Sequence, residues 1–440
     1  MLMNLTELRS TSSRLQNVGG EMHRFIAELY PICRSITGNG LRTTLGLIKQ
    51  HIPLAMHEVP TGTPVFDWTV PKEWNIRDAY IKNSKGERVV DFQKCNLHVV
   101  SYSRPIKKKV SLAELKEHIF TLPEHPDWVP YRTSYYKENW GFCLSHTQLV
   151  DLKDEEYEVC IDASLADGHL TYGECFLPGQ TSEEVLISCH VCHPSLCNDN
   201  LSGVALATFL AELLGSHSRR YSYRFLFIPG TIGSIAWLSK NESNAAKIRH
   251  GLVLACVGDS GKLTYKKSRR GDAEVDKAVA HVLRHSGAGY EILEFSPYGY
   301  DERQFCSPGF NLPVGCFMRT PHGRFPEYHT SADNMDLVKP TFLDDSFCQC
   351  LSVLFVLENN KTYANQNLKC EPQLGKRGLY AAIGGEANAK AQELAMLWVL
   401  NFSDGNHTLL DIAERSALEF SLVKTAADKL LEHELLKESS

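Results

Sequence analysis

Val185-Leu-Ile-Ser-Cys-His190-Val-Cys-His193-Pro-Ser-Leu-Cys-Asn-Asp199-Asn-Leu-Ser202-Gly203 is the stretch on which the reading of this chain turns. An apolar run, short enough for a strand covered on both faces, ends at once in two histidines. A loop rich in turn formers follows. Asp199 then stands just ahead of a helix that starts near Ser202-Gly203 and carries an apolar face from Val204 to Leu214. Imidazoles and a carboxylate, fixed by a strand end and a helix start, are the donors a zinc-type divalent ion takes. The letters Cys189-His-Val-Cys-His193 also have the spacing of a c-type haem attachment site, and Cys189 and Cys192 that of a redox dithiol. Haem attachment follows export, and a redox dithiol opens a helix rather than continuing a strand. The metal reading is preferred.

Working outward, the rhythm from about residue 155 is strand, loop, helix. Tyr157–Ile161, Glu184–Ser188, Arg224–Ile228 and Gly251–Val257 read as strands, and Val204–Leu214, Ile232–Ser239 and Asp272–His285 as helices. That alternation predicts an α/β sandwich with a largely parallel central sheet, whose sites sit on loops at the carboxyl ends of strands. Asp259, in Val253-Leu-Ala-Cys-Val-Gly258-Asp259, is a second strand-end carboxylate. Further on, Tyr300-Asp301-Glu302-Arg303 lies between two turns, and Glu327-Tyr-His329-Thr-Ser-Ala-Asp333 offers a histidine in a polar loop. His, Asp, Asp and His in order over the loops of one α/β unit is how a hydrolase with one or two metals is built.

Residues 16–55 read as two helices, with Met22, Phe25, Ile26 and Leu29 at helical spacing, joined by the turn Ser35–Gly40. From about 56 to 150 the chain reads as a small β-rich module. Its aromatics Trp68, Trp74, Trp128, Tyr131, Tyr135, Tyr136 and Trp140 are taken as core and turn packing rather than a ligand platform. The last segment is helical over Ala387–Asn401, Thr408–Ser416 and Ser421–Glu432, the pattern of a winged helix. It is acidic, not basic, so a packing or oligomerisation module is expected there rather than a DNA reader.

Composition sets the outer limits. The 440 residues are 43% hydrophobic and 22% charged, a globular profile. With 46 Lys plus Arg against 52 Asp plus Glu, the net charge of −6 excludes a whole-surface basic field for nucleic acid or anionic membrane. Met1–Gly20 lacks the apolar core of an export signal, and no apolar run is judged to approach the ~20 residues of a membrane span. The fourteen irregularly spaced cysteines then point to reduced thiols in a cytoplasm.

These residues resemble the zinc aminopeptidases of the co-catalytic type. More closely, the chain is similar to a subfamily labelled polysaccharide-biosynthesis proteins with an aminopeptidase-like domain. The segments that carry the likeness are Tyr30-Pro-Ile-Cys-Arg-Ser-Ile-Thr-Gly-Asn-Gly, Asp67-Trp-Thr-Val-Pro-Lys-Glu-Trp, Tyr131-Arg-Thr-Ser-Tyr-Tyr and Trp140-Gly-Phe-Cys, then Cys192-His-Pro-Ser, Asp301-Glu-Arg-Gln-Phe and Glu327-Tyr-His-Thr-Ser-Ala-Asp. The resemblance implies a zinc-exopeptidase-like three-layer α/β sandwich at 16–60 and 151–361. It implies an inserted β-rich, protease-associated-like domain at 61–150 and a winged-helix-like domain at 362–440. It further implies one or two zinc ions held by His193 (or His190), Asp199, Asp259 and His329. Where the family carries two adjacent glutamates, one a general base, this chain reads Pro229-Gly230-Thr231. Glu302 and Glu327 are the local substitutes for that base. The expected function is hydrolysis of an amide in a peptide or acylated amino sugar. The alternative is an impaired relative that only binds a ligand or partner. No membrane or nucleic-acid partner is expected, and self-association would run through the C-terminal domain.

Overall fold

The computed structural model describes residues 16–379 and 387–439. Most of Met1–Gly20, read above for an export signal, lies outside the described residues, as do 380–386 and Ser440 of the C-terminal region.

Every residue of the strand Glu184–His190 is buried. Its side chains alternate between two apolar cores: Val185, Ile187 and Cys189 join one, Leu186 the other. In the neighbouring strand Ser222–Ile228, Phe225 and Phe227 are likewise divided from Leu226 and Ile228. A strand covered on both faces must be apolar at consecutive positions, which is why the run reads as continuous rather than alternating.

The main sheet has eight strands in the order Ala55–Pro60, His169–Leu177, Ser222–Ile228, Glu184–His190, Ile248–Leu254, Val314–Met318, Leu263–Lys266, Tyr290–Leu293. The four central strands are mutually parallel. Antiparallel pairings flank them on both sides, so the sheet is mixed with a parallel centre. One face is covered by the helices Val18–Leu29, Gly203–Gly215, Glu274–His285 and Pro340–Asn359, the other by Ile232–Lys240 and the short turn of helix Glu302–Phe305. This is the expected three-layer sandwich. Pro340–Asn359 corrects one expectation, since by length and composition alone it is long and apolar enough to cross a membrane. Its leucines, valines and Phe347 instead pack in the core of the helical layer. Burying each such side chain contributes roughly 1.5–3 kcal/mol.

A second, antiparallel sheet runs in the order Arg88–Asp91, Glu73–Lys82, Glu156–Ala166, Ile106–Ser111. Glu156–Ala166 contains the Tyr157–Ile161 segment read above as the first strand of the α/β unit; it belongs here instead. Its burial alternates, with Tyr157, Val159, Ile161 and Ala163 inward, the period of a sheet covered on one face.

The C-terminal helices Ala387–Phe402, Leu409–Ser416 and Phe420–Glu432 pack with a three-stranded antiparallel sheet of Thr362–Asn365, Asp404–Thr408 and Leu436–Glu438. Thr408 and Asp411 cap the middle helix reciprocally. This unit shares its apolar core with the helical layer. His281 of that layer lies 2.6 Å from Glu414 Oε1 and accepts the Phe420 N–H at Nε2, 3.0 Å.

Candidate metal centre

His190 is the last residue of its strand and is 2% exposed. The chain turns through His193 and Pro194, and the tight segment Cys197–Ser202 leads into the helix Gly203–Gly215. Backbone and side chains from elsewhere set that segment. Asp333 accepts the N–H groups of Asn198 and Asp199 at 2.6 and 2.9 Å. Asn200 donates to the Leu254 carbonyl (2.9 Å) and accepts the Cys256 N–H (3.1 Å), tying the turn to the end of the adjacent strand. A Cβ on Gly203 would stand 2.5 Å from the Leu254 oxygen, so only glycine lets the helix start this close to the sheet.

Three imidazoles converge on the Asp199 carboxylate. His190 Nε2 lies 2.8 Å from Oδ1, His329 Nε2 2.9 Å from Oδ2, and His193 Nε2 3.9 Å from Oδ2. Both histidines left as alternatives by the sequence therefore face the same acid. Asp199 is fully buried. Burial alone would raise its carboxyl, but His193 and His190 and the hydrogen bonds from His190 and His329 outweigh that and hold it well below the ordinary carboxylate range. Burial, the largest effect on His193, together with its neighbouring histidines, holds its imidazole well below the usual histidine range, against the pull of Asp199. An anionic oxygen donor among neutral nitrogen donors is the set that zinc takes. His329 has φ 56 and Cys256 φ 49, left-handed backbone held by its surroundings beside the centre.

The other residues singled out in the sequence are placed differently. Asp259 has both oxygens engaged: Asn198 donates at 2.8 Å, Thr320 Oγ1 at 2.6 Å and the Gly261 N–H at 2.7 Å. It braces Asn198, next to Asp199, and does not face the three imidazoles. Glu302 is wholly buried and ion-paired with Lys266, whose ammonium also donates to the Ser296 and Tyr298 carbonyls. Glu327 is half-buried, two residues before His329.

Asp301, not its neighbour Glu302, is the acid that approaches His190. The strand Ser222–Ile228 runs parallel to Glu184–His190 and ends beside it in Pro229-Gly230-Thr231. A Cβ on residue 230 would lie 3.1 Å from His190 Cβ and 3.4 Å from Asp301 Oδ2. Asp301 is 1% exposed, and its Oδ1 accepts from Ser234 Oγ at 2.7 Å. Burial pushes its carboxyl up to about 6, against the pull of His190 and Ser234. An acid from a distant loop thus packs against Gly230, close to His190. The only sequence signal was its place in the Asp301-Glu-Arg-Gln-Phe segment.

The β-rich region supplies a roof. Tyr131 donates its N–H to the His329 carbonyl (2.7 Å), and Val129 and Ser331 exchange hydrogen bonds of 2.9 and 2.8 Å. The Tyr131 ring lies edge-on to His193 and His329, each 5.2 Å away. Tyr300 stacks on His190, and Tyr328 on His329. From the N-terminal turn, the buried Arg34 donates to the His193 carbonyl at 2.9 Å.

Residues 23–360 match a domain family of unknown function, DUF4910, and residues 361–438 match a winged helix-turn-helix family. The chain belongs to the DUF4910 family. A Clostridium acetobutylicum protein, named as a candidate polysaccharide biosynthesis protein with an aminopeptidase-like domain, is 55% identical to this DUF4910 member over 433 residues. The match covers 98% of this chain and 100% of the relative. A crystal structure of a C. acetobutylicum protein described as a candidate peptidase superposes with TM-score 0.94 at 54% identity, covering 98% of this chain and 99% of that one. A zinc aminopeptidase from Bacillus subtilis superposes with TM-score 0.57 at 12% identity, over 78% of this chain and 95% of its own, a likeness of fold alone. The DUF4910 chain thus has an aminopeptidase-like fold and a C-terminal winged helix.

Proposed function

We propose that this DUF4910 chain is a zinc-dependent hydrolase of an amide bond, with His190, His193, Asp199 and His329 holding the metal and Asp301 accepting the proton of the attacking water. The observation that carries this is the convergence of three imidazoles on one buried carboxylate. The donor set fits the ion: His193 is held neutral, Asp199 is held anionic, and backbone bonds fix the loop before any ligand arrives. A zinc ion bound there would polarise an amide carbonyl and make a water molecule more acidic.

The chain's own residues would do the rest. Asp301, held by Ser234 and raised towards neutrality by burial, is suited to take a proton beside His190. Tyr131 and Tyr300 pack over the imidazoles and limit the water that reaches them. Asp259 holds Asn198 and so positions Asp199. Glu302 has its charge committed to Lys266, and Glu327 remains the alternative proton acceptor.

We draw the inserted region from Pro60 to His169 on the strands it contributes, and the C-terminal unit as a packing module through which copies of the chain associate. The cytoplasmic setting rests on the sequence alone. A second reading, a binding protein that has lost its chemistry, draws on the absence of a carboxylate at Gly230 and Thr231. Zinc per chain, measured with turnover on a panel of aminoacyl and N-acyl amides, tests the proposal. A zinc-loaded chain inert on every amide would favour the second reading, and a chain that takes up no zinc would remove the first.

A further inference from the structure

We infer that the amide is carried on a sugar ring, as an N-acylated amino sugar, held by the exposed aromatics Trp68 and Tyr136 beside the metal centre. This rests on the amide-hydrolase reading and names its substrate class.

Two independent observations lead there. The first is the fate of the aromatic cluster. Trp74, Tyr131 and Trp140 are 3–4% exposed and are accounted for by packing, whereas Trp68 is 44% and Tyr136 56% exposed. Their rings meet edge to face with centroids 5.3 Å apart. They do not stand on a remote surface. Tyr136 follows Tyr135, whose hydroxyl bonds to that of Tyr131 at 2.7 Å, and the Tyr131 ring lies against His193 and His329. Burial raises the Tyr136 hydroxyl to about 12, with a smaller contribution from Cys192, which adjoins His193. On the other side, the strand Pro64–Val65 that leads into Trp68 packs on the helix Ile232–Lys240, which begins just after Gly230. The pair is therefore linked through Tyr135 and Tyr131 to the histidines, and through Pro64–Val65 to the helix after Gly230.

The second observation is charge. A peptide substrate with a free amino terminus brings an ammonium group that needs an anion. Around the centre Asp199 faces three histidines, Asp333 is bound to two backbone N–H groups, Asp259 to Asn198, Thr320 and Gly261, and Glu302 to Lys266. Asp301 cannot both hold an ammonium group and accept a proton, which leaves Glu327, half-buried two residues before His329, as the anchor a peptide would need and the one tested by Glu327→Gln. A neutral N-acyl group needs no such anchor. An aromatic face is the negative side of the ring quadrupole and suits the weakly positive C–H groups on one face of a pyranose. An apolar peptide side chain would call for an enclosed pocket rather than an open rim. In the reaction the water oxygen bonds to the acyl carbon and the carbon–nitrogen bond breaks; one water proton passes through Asp301 and both end on the amine, which leaves as an ammonium group while a carboxylate is released.

Calorimetric titration of the full chain, zinc-loaded and zinc-stripped, tests this with four probes: N,N′,N″-triacetylchitotriose, its de-N-acetylated counterpart, leucine amide and N-acetyl-leucine amide. Triacetylchitotriose should bind both forms, and the de-acetylated trimer about tenfold more weakly. Trp68→Ala and Tyr136→Ala should each weaken binding about tenfold, with Trp68→Phe restoring most of it. Both side chains are exposed, so the variants should keep the parent's circular dichroism and melting temperature. Binding that depends on Trp68 without turnover would sink the hydrolase reading and leave this site standing. No binding of the acetylated trimer, tighter binding of leucine amide, or indifference to Trp68→Ala would overturn the inference. A leucine amide affinity abolished by Glu327→Gln would do the same, by revealing an ammonium anchor.

Discussion

Two loops leave neighbouring parallel strands at the same level of the sheet, where His190 pairs in register with Ile228. One, His190–Ser202, is filled with donors and fixed by hydrogen bonds from four directions. The other, Pro229-Gly230-Thr231, offers no ionisable side chain at all. The first loop carries the donors, whereas the carboxylate beside the second comes from a third loop, at Asp301, whose Oδ2 would stand 3.4 Å from a Cβ at residue 230. A carboxylate placed beside a strand end need not come from that strand or from its own loop.

The largest effect that could break this comparison is on the donor loop. Asp199→Asn should reduce zinc per chain to background, because it removes the anion that all three imidazoles face; elemental analysis after dialysis reads it. Retention of near-stoichiometric zinc would show that the donors act separately.

Next is the acid beside Gly230. Asp301→Asn should keep the zinc and lower kcat by about 10²-fold or more. Its raised carboxyl sets the pH sign. Below about 6 the native group is protonated and cannot accept, so turnover should fall as pH drops through that value. The same shift costs the folded chain a little stability as pH rises from about 4 towards 6. A profile that is flat through this range would place the proton acceptor elsewhere.

Gly230→Glu should have a smaller effect of the same sign, roughly tenfold on kcat with zinc retained. Gly230 is not in the left-handed region, so its backbone tolerates a side chain, but the new Cβ meets His190 at 3.1 Å. A second carboxylate beside Asp301 would raise the Asp301 carboxyl further. A gain in turnover would instead show that the empty loop still accepts a base. The smallest change is Ser234→Ala. It removes one hydrogen bond that favours the ionised Asp301, so kcat should fall about fivefold and the acid limb should move upward.

The sequence made the donor loop legible because its elements are local. An apolar run, two histidines and an aspartate before a helix lie within nineteen residues (185 to 203), and His329 sits in a recognisable polar segment. What lies across the fold was not legible. Nothing in the order Asp301-Glu302 says that one acid turns toward Gly230 while the next is buried against Lys266. Asp259 reads from the sequence as a strand-end ligand, yet its four hydrogen bonds come from residues 198, 261 and 320, which sequence order does not bring together. Tyr157–Ile161 reads equally well into either sheet, because Val159 and Ile161 suit both, and only the pairing of Glu156–Ala166 with Glu73–Lys82 decides. The C-terminal strands were missed because they are short and, like Asp404–Thr408, polar.

The backbone bonds between Val129–Tyr131 and His329–Ser331, with the bridge of Pro130 to Thr330, have a consequence for inheritance. An accessory domain tethered only at its ends can be exchanged between proteins as a cassette. Here the β-rich region shares a β-bridge with the loop that carries His329, the histidine facing Asp199. Shuffling it out would leave His329 without the partner of its carbonyl, so recombination within the family must carry both pieces together or lose the site.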